Sequence, residues 1–495
     1  MSAGILIIDQ GTSSTRAIVF DLEGRVVAAD QEALQQHCPH SGWVEQDAED
    51  IWRTVLRTAR AAIDKSCRLG IAVQAIGITN QRETTVVWDR ETHQPIHRAI
   101  VWQDRRTAET CEQLSNDGAE ELVAERTGLL VDPYFSATKI AWLLDNVAGA
   151  RAAAEAGRLA FGTIDSFLLW RLTNGRVHRT DTTNASRTSL FDINRLTWDA
   201  DMLNLFGVPA SVLPQVFPCA HEFAVTDKGV LGISVPVTGI AGDQQAALMG
   251  QACFARGSAK ATYGTGGFVL LNTGSQVTRS RARLISTVGY QIADSTAYAL
   301  EGSIFVAGAG VQWLRDELGF FSDAGDTDTL AREAADDDGI YIVPAFTGLG
   351  APHWLPQARG SVFGLTRSTS RGQLVRALLQ SVAYQTVDLL NAMSADGVAI
   401  NQLNVDGGMS ANDWFCHFLA DVIGHEVRRP KDVEATARGA LFLAAKGADF
   451  TEGSLQRPDS MAVDVFEPRM ERGRRDRLVS GWKRAVAATQ HFANG

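Results

Sequence analysis

Asp9-Gln10-Gly11-Thr12-Ser13-Ser14-Thr15-Arg16 is the stretch on which the reading of the fold turns. It follows the apolar run Gly4-Ile5-Leu6-Ile7-Ile8 and precedes a second one, Ala17-Ile18-Val19-Phe20. Two β-prone runs around a Gly-bearing polar turn predict a hairpin. The turn gathers an acid, a glycine, four hydroxyls and an arginine. Glycine lets backbone approach a ligand, successive amide N–H groups form an anion-binding nest, and hydroxyls and Arg16 add donors and charge for phosphate oxygens. Asp9, at the strand end, is placed to hold a metal through water. An ordinary surface hairpin is the alternative this stretch alone leaves open.

The rest of the chain extends this start. A third antiparallel strand is predicted at Gly24–Ala29, then a helix from about Asp47, with Glu49 and Asp50 in its first turn. Ile51, Trp52, Val55, Leu56, Ala59, Ala62 and Ile63 repeat at helical spacing. Ile71–Ile78 reads as another strand, giving an α/β order. Beyond its carboxyl end, where α/β sheets place ligands, stands Thr79-Asn80-Gln81-Arg82-Glu83-Thr84. An adjacent Arg82-Glu83 pair there can bind hydroxyls from both sides; a surface salt bridge is the commoner fate of such a pair. Trp102 is a flat wall or a core residue, and Tyr134 a hydroxyl donor or a core residue. Ser136 is read as a helix cap, Ala148–Ala160 as a solvated helical connection, and Asp181–Arg187 as an exposed polar loop.

A second centre follows at Thr238-Gly239-Ile240-Ala241-Gly242-Asp243-Gln244-Gln245-Ala246-Ala247, a short strand opening into a helix. Asp243 at that helix start can accept a proton from a substrate hydroxyl, or merely cap the helix. Ala259–Leu271 repeats the opening pattern: strand, Gly264-Thr265-Gly266 turn, apolar strand. Two such hairpins far apart in one chain predict two similar domains across a cleft. The small residues of Gly308–Gln312 allow close backbone approach or simply tight helix packing, and the glycines of Asp406-Gly407-Gly408, leading to Asn412, let a flat purine or sugar lie against backbone. The tail run Arg472, Arg474, Arg475 and Arg477 reads as a solvated helix face.

The bulk numbers narrow the class. At 495 residues the chain exceeds one core, and about two to four domains are expected. A net charge of −11 offers no overall basic excess for nucleic acid. The six cysteines form no Cys-x-x-Cys pair, against a zinc site or a disulfide framework. No apolar run reaches membrane-span length, and Asp9 breaks the N-terminal run too early for a secretory signal, so a cytoplasmic protein is expected.

Together these motifs, with Lys139, Trp142 and Gly360–Leu365, resemble the FGGY carbohydrate kinases, and within them the branch acting on glycerol. The resemblance spans almost the whole chain. It implies an α/β fold of two actin-like, ribonuclease-H-like domains facing a central cleft, divided as residues 1–245 and 246–495. It implies ATP-dependent phosphorylation of a terminal glycerol hydroxyl, with Asp243 as general base and Arg16 near the transferred group. Arg82, Glu83, Trp102, Tyr134, Asp243, Gln244 and Phe268 would surround glycerol. Thr12, Ser13, Ser14, Arg16, Thr265, Gly308, Gln312, Gly408 and Asn412 would hold ATP. Asp9 and Asp243 would flank Mg2+. A homodimer or homotetramer is usual in the family. Some enterobacterial members bind fructose 1,6-bisphosphate through a Gly-rich loop with an arginine, a pattern that Val225–Val230 lacks. The surroundings of His221 do not match the regulatory histidine of Gram-positive relatives. A kinase of larger polyols, and an actin-like ATPase, are the rival readings.

Overall fold

The computed structural model describes residues 1–335, 339–431, 434–450 and 462–494. Its main sheet has thirteen strands. In chain order these are β1 Ser2–Gln10, β2 Ser14–Asp21, β3 Val26–Ala33, β4 Ile71–Asn80, β5 Ala220–Val225, β6 Pro236–Gly242, β7 Ser258–Tyr263, β8 Gly267–Gly274, β9 Ile285–Ile292, β10 Ser295–Ile304, β11 Gln402–Asp406, β12 Val427–Pro430 and β13 Val463–Phe466. The spatial order is β13-β12-β11-β7-β8-β10-β9-β5-β6-β4-β1-β2-β3.

One pairing rule occurs twice. β1 is antiparallel to β2, β2 to β3, while β1 is parallel to β4 and β4 to β6. In the second half β7 is antiparallel to β8, β8 to β10, while β7 is parallel to β11 and β11 to β12. Among the described residues the sheets of the two halves join through a single strand-paired residue couple, Ala220 of β5 opposite Ile292 of β9.

Burial on both faces explains the continuous apolar run in β1. Leu6 and Ile8 pack with Ile51, Val55 and Ala59 of the helix Ala48–Arg68. Ile5 and Ile7 pack on Ala437, Ala440 and Ala444 of the helix Ala435–Gly447. That second helix comes from the far end of the chain, so the second half supplies a cover for the first half's sheet. Asp47 caps the Ala48–Arg68 helix by accepting from the Glu49 amide, as the acids at its start suggest.

Three expectations are corrected. Ser136 is not a cap: it is the first residue of the helix Ser136–Asn146, and its hydroxyl donates to the Glu83 carbonyl. Ala150, Ala153 and Ala154, within the expected solvated connection, are buried against Leu143, Leu144 and Val212. The Asp181–Arg187 segment is buried throughout, its polar groups bonded to one another and to strand ends.

Candidate active site

The ends of three parallel strands define the site. Gln10, Asn80 and Gly242 lie in register at the carboxyl ends of β1, β4 and β6. Just beyond them come the first hairpin turn, Gln81-Arg82-Glu83, and Asp243, the first residue of the helix Asp243–Gly250. The Gln81 side chain bonds Gln10 and Gln46, tying neighbouring strand ends together. Opposite, the second hairpin turn is stapled to the helix Gly308–Asp316: the Thr265 carbonyl accepts from the Ala307 and Ala309 amides, and the Gly308 amide donates to Gly264. A Cβ on Gly308 would lie 2.6 Å from the Gly264 carbonyl oxygen, so this contact requires glycine.

Arg82 and Glu83 are buried at the floor. Arg82 Nη2 donates to the Tyr134 hydroxyl at 3.1 Å, while its Nε lies 3.5 Å from Asp243 Oδ1 and 3.6 Å from Glu83 Oε1. Trp102 packs edge-on against Tyr134 and Phe268, with ring centroids 5.6 and 6.2 Å away. Its indole N–H donates to the Thr12 hydroxyl at 2.9 Å, joining the aromatic wall to the first hairpin turn. Lys139 supports the floor from below, donating to the Tyr134 carbonyl at 2.7 Å and the Glu83 carbonyl at 3.2 Å. Burial pulls its ammonium pKa down to about 8.

Asp243 keeps 30% of its side chain open to solvent, and its Oδ1 accepts from the Gln244 amide at 2.6 Å. Burial raises its pKa, Arg82 draws it back and Glu83 raises it again. Asp9 is pushed up to about 7, first by burial and then by the negative charge of Asp243. Arg16 pairs with Glu434 at 2.7 Å, and Ser14 accepts from Gln31. The Gln244 carboxamide oxygen is taken by Lys260, a buried lysine whose pKa burial lowers to about 8. Asn412 caps the helix Asp413–Ile423 through its Oδ1 and donates to Thr327 through its Nδ2. Gln312 is exposed on its helix, and nothing within 4 Å would meet a Cβ on Gly408. Ser13 binds the Leu34 amide through its carbonyl.

Three site residues escape the sequence reading: Lys260 on Gln244, Arg187 and Glu301. Arg187 Nε donates to Glu83 Oε1 at 2.7 Å, and Glu301 takes both ends of the Arg82 guanidinium, at 2.5 and 2.9 Å. Burial raises the Glu301 pKa, but the guanidiniums of Arg187 and Arg82 outweigh it and hold the carboxyl at about 2. Glu301 carries a signal, a lone charge within the apolar strand Ala297-Tyr298-Ala299-Leu300-Glu301.

A doubled hairpin fold around an acid, an Arg-Glu pair and aromatic walls is the arrangement of the sugar and polyol kinases. Residues 4–250 match the FGGY family of carbohydrate kinases, N-terminal domain, and residues 259–448 its C-terminal domain. The chain belongs to the FGGY family of carbohydrate kinases. It is 55% identical to the glycerol kinase of Rhodospirillum centenum, covering 99% of this chain and 98% of that protein. It is 53% identical to the glycerol kinase of a Marinomonas species, covering 98% and 99%. The crystal structure of Plasmodium falciparum glycerol kinase with ADP superposes with a TM-score of 0.93 at 36% identity, over 99% of this chain and 98% of that one. A xylulose kinase from Rhodospirillum rubrum shares the fold, with a TM-score of 0.88 at 22% identity and coverage of 99% and 100%.

Proposed function

We propose that this chain transfers the γ-phosphoryl group of ATP to a terminal hydroxyl of glycerol, giving ADP and sn-glycerol 3-phosphate. The observation that carries the reading is the placement of Asp243 beside Arg82, at 3.5 Å, at the carboxyl end of β6. Glu83 and Tyr134 adjoin that pair, and Trp102 and Phe268 wall it. The similarity to glycerol kinases over nearly the full chain supports the choice of substrate.

Glycerol's hydroxyls would lie against Arg82, Glu83, Tyr134 and Gln244, with its carbons between Trp102 and Phe268. A floor built from so many polar groups rejects analogues missing a hydroxyl, because its own groups are left unpaired. Asp243 orients the attacking hydroxyl and takes its proton; partial burial raises its proton affinity for that task. Thr12, Ser13, Ser14 and Thr265 bring hydroxyls and amides to the phosphates, and Arg16 sits by the transferred group, so catalysis is mostly positioning and charge stabilisation. Gly308, Gln312, Gly408 and Asn412 line the nucleoside end.

The donors fit Mg2+. Burial, and then the negative charge of Asp243, raise the proton affinity of Asp9 to about 7, and a hard cation between the two carboxylates would relieve their repulsion. Asp9 and Asp243 would hold the ion, which would supply positive charge against the phosphates. We also propose a two-domain division at 245/246; the two family-domain matches support two domains and part a little later, between residues 250 and 259. We expect a cytoplasmic homodimer or homotetramer; light scattering tests the assembly. Among the described residues no helix is long and apolar enough to cross a membrane.

A coupled assay of ADP release tests the reading. Wild type should turn over with glycerol and not with xylulose or gluconate. Asp243→Asn should lose about 10³-fold in kcat while still binding ATP. Turnover of ATP that ignores glycerol and survives Asp243→Asn would instead indicate an actin-like ATPase.

A further inference from the structure

The guanidinium of Arg82 is already gripped before any substrate arrives. Glu301 Oε2 accepts from Nη1 at 2.5 Å and Oε1 from Nη2 at 2.9 Å, a bidentate fork. Arg187 Nη2 shares Glu301 Oε1 at 3.1 Å, and Arg187 Nε holds Glu83 Oε1 at 2.7 Å. Two arginines and two glutamates thus form a closed quartet, each residue no more than 3% exposed. Its formal charges cancel, which a buried cluster requires. The quartet also crosses the molecule: Arg82 and Glu83 follow β4 and Arg187 follows the buried Asp181 segment, whereas Glu301 stands on β10 of the second half.

A bidentate pair fixes the plane of a guanidinium as well as its position. With both Nη atoms occupied by Glu301, the Nε edge alone is turned toward Asp243 and Glu83, at 3.5 and 3.6 Å. Without Glu301, the fork would keep the Tyr134 hydroxyl at 3.1 Å, a longer contact to Gln245 Oε1 at 3.4 Å and the Phe268 ring face at 6.0 Å, none of them a charge, and Asp243 and Glu83 are the nearest remaining carboxylates. We propose that Glu301 is a positioning residue for glycerol: its fork, locked by Arg187, sets the plane of Arg82, keeps that arginine from collapsing onto Asp243, and ties the acceptor site to the second half. The inference rests on the glycerol-kinase reading of the same site.

The experiment is steady-state kinetics with each substrate varied in turn, beside thermal melting, on wild type, Glu301→Gln, Glu301→Asp and Arg187→Lys. In Glu301→Gln the amide end opposes one guanidinium N–H. Misplacement on that scale should raise the glycerol KM about 10-fold and lower kcat by about 10- to 100-fold, with the ATP KM within about twofold of wild type. Glu301→Asp keeps the charge with a shorter reach and should recover part of both losses. Arg187→Lys keeps charge but loses the fork, and should raise the glycerol KM selectively. The proposal is overturned if Glu301→Gln keeps all constants within twofold. It is also overturned if Glu301→Gln and Arg187→Lys both fail to fold, or weaken both substrates equally, since the quartet would then serve stability alone. A wild type that does not phosphorylate glycerol would sink the functional reading instead.

Discussion

Single charged groups in this protein are legible when a short motif sets them at a strand end, and hidden when they lie inside a strand or a buried turn. Asp243 and the Arg82-Glu83 pair belong to the first kind, next to Gly242 and Asn80. Glu301 and Lys260 belong to the second, each flanked by apolar or small residues, and only the pairing of β7, β8 and β10 sets them in one row across Leu270. Asp165 is a further hidden charge. Its carboxylate accepts from Thr163 and Thr180, at 2.6 Å each, within the core. Burial, and then the nearby Asp181, push its pKa up to about 7. An acid with a raised folded pKa binds its proton more tightly in the native state, so stability falls as pH climbs from about 4 to about 7 and then levels off. Asp165→Asn, which can still accept from one threonine and donate to the other, should flatten that part of the melting-temperature profile. Thermal melts from pH 5 to pH 8 check it, and an unchanged slope in the variant would contradict it.

At the scale of elements, the hairpins, the Ala48–Arg68 helix and the strand-to-helix turn at Gly242 follow from period and turn chemistry. The Asp181–Arg187 segment does not, because its composition suits a solvated loop. It is buried only because strand ends need its donors and acceptors. Asp181 accepts from the Thr183 and Asn184 amides, the Thr183 hydroxyl accepts from the Gly242 amide at 3.0 Å, and Asn184 exchanges bonds with Asn80. That cross-linking is tertiary and leaves no local period to detect. Gly242 shows how tightly the element is fitted. A Cβ there would lie 2.8 Å from Arg82 Cγ and 2.9 Å from Cδ, although its φ of −58° suits any residue. Gly242→Ala should therefore act on the site more than on folding. We expect kcat/KM for glycerol to drop about 10²-fold, by displacement of Arg82, with little change in melting temperature. Kinetics that match wild type would mean the arginine yields freely.

For the whole molecule, the doubled strand pattern was legible as an echo between the two Gly/Thr hairpins, whereas the interlocking of the halves was not. The helix Ala435–Gly447 belongs in sequence to the second half but lies on the first half's sheet, where a Cβ on Gly77 would come within 2.9 Å of the Ala440 carbonyl oxygen. It crosses the helix Asp243–Gly250 backbone to backbone: a Cβ on Gly439 would sit 1.8 Å from the Ala246 carbonyl oxygen, and one on Gly250 1.8 Å from that of Ala435. Among the described residues only Ala220 and Ile292 are strand-paired between the halves, and this helix crossing locks the Ala435–Gly447 helix to the segment that runs on from β6 beneath the cleft. It also carries the proposed base, since Asp243 heads the helix on which Ala246 sits. A methyl at Gly439 would collide with main chain that cannot rotate away, so the helices must separate. Gly439→Ala should destabilise the protein by about 1–3 kcal/mol, the usual cost of overpacking a close contact. It should also lower kcat at least about 10-fold as Asp243 shifts, while leaving the ATP KM near wild type. Chemical denaturation and the coupled assay read these two effects separately. Wild-type values in both would show that the crossing has slack and that the first turn of the Asp243–Gly250 helix is held by other contacts.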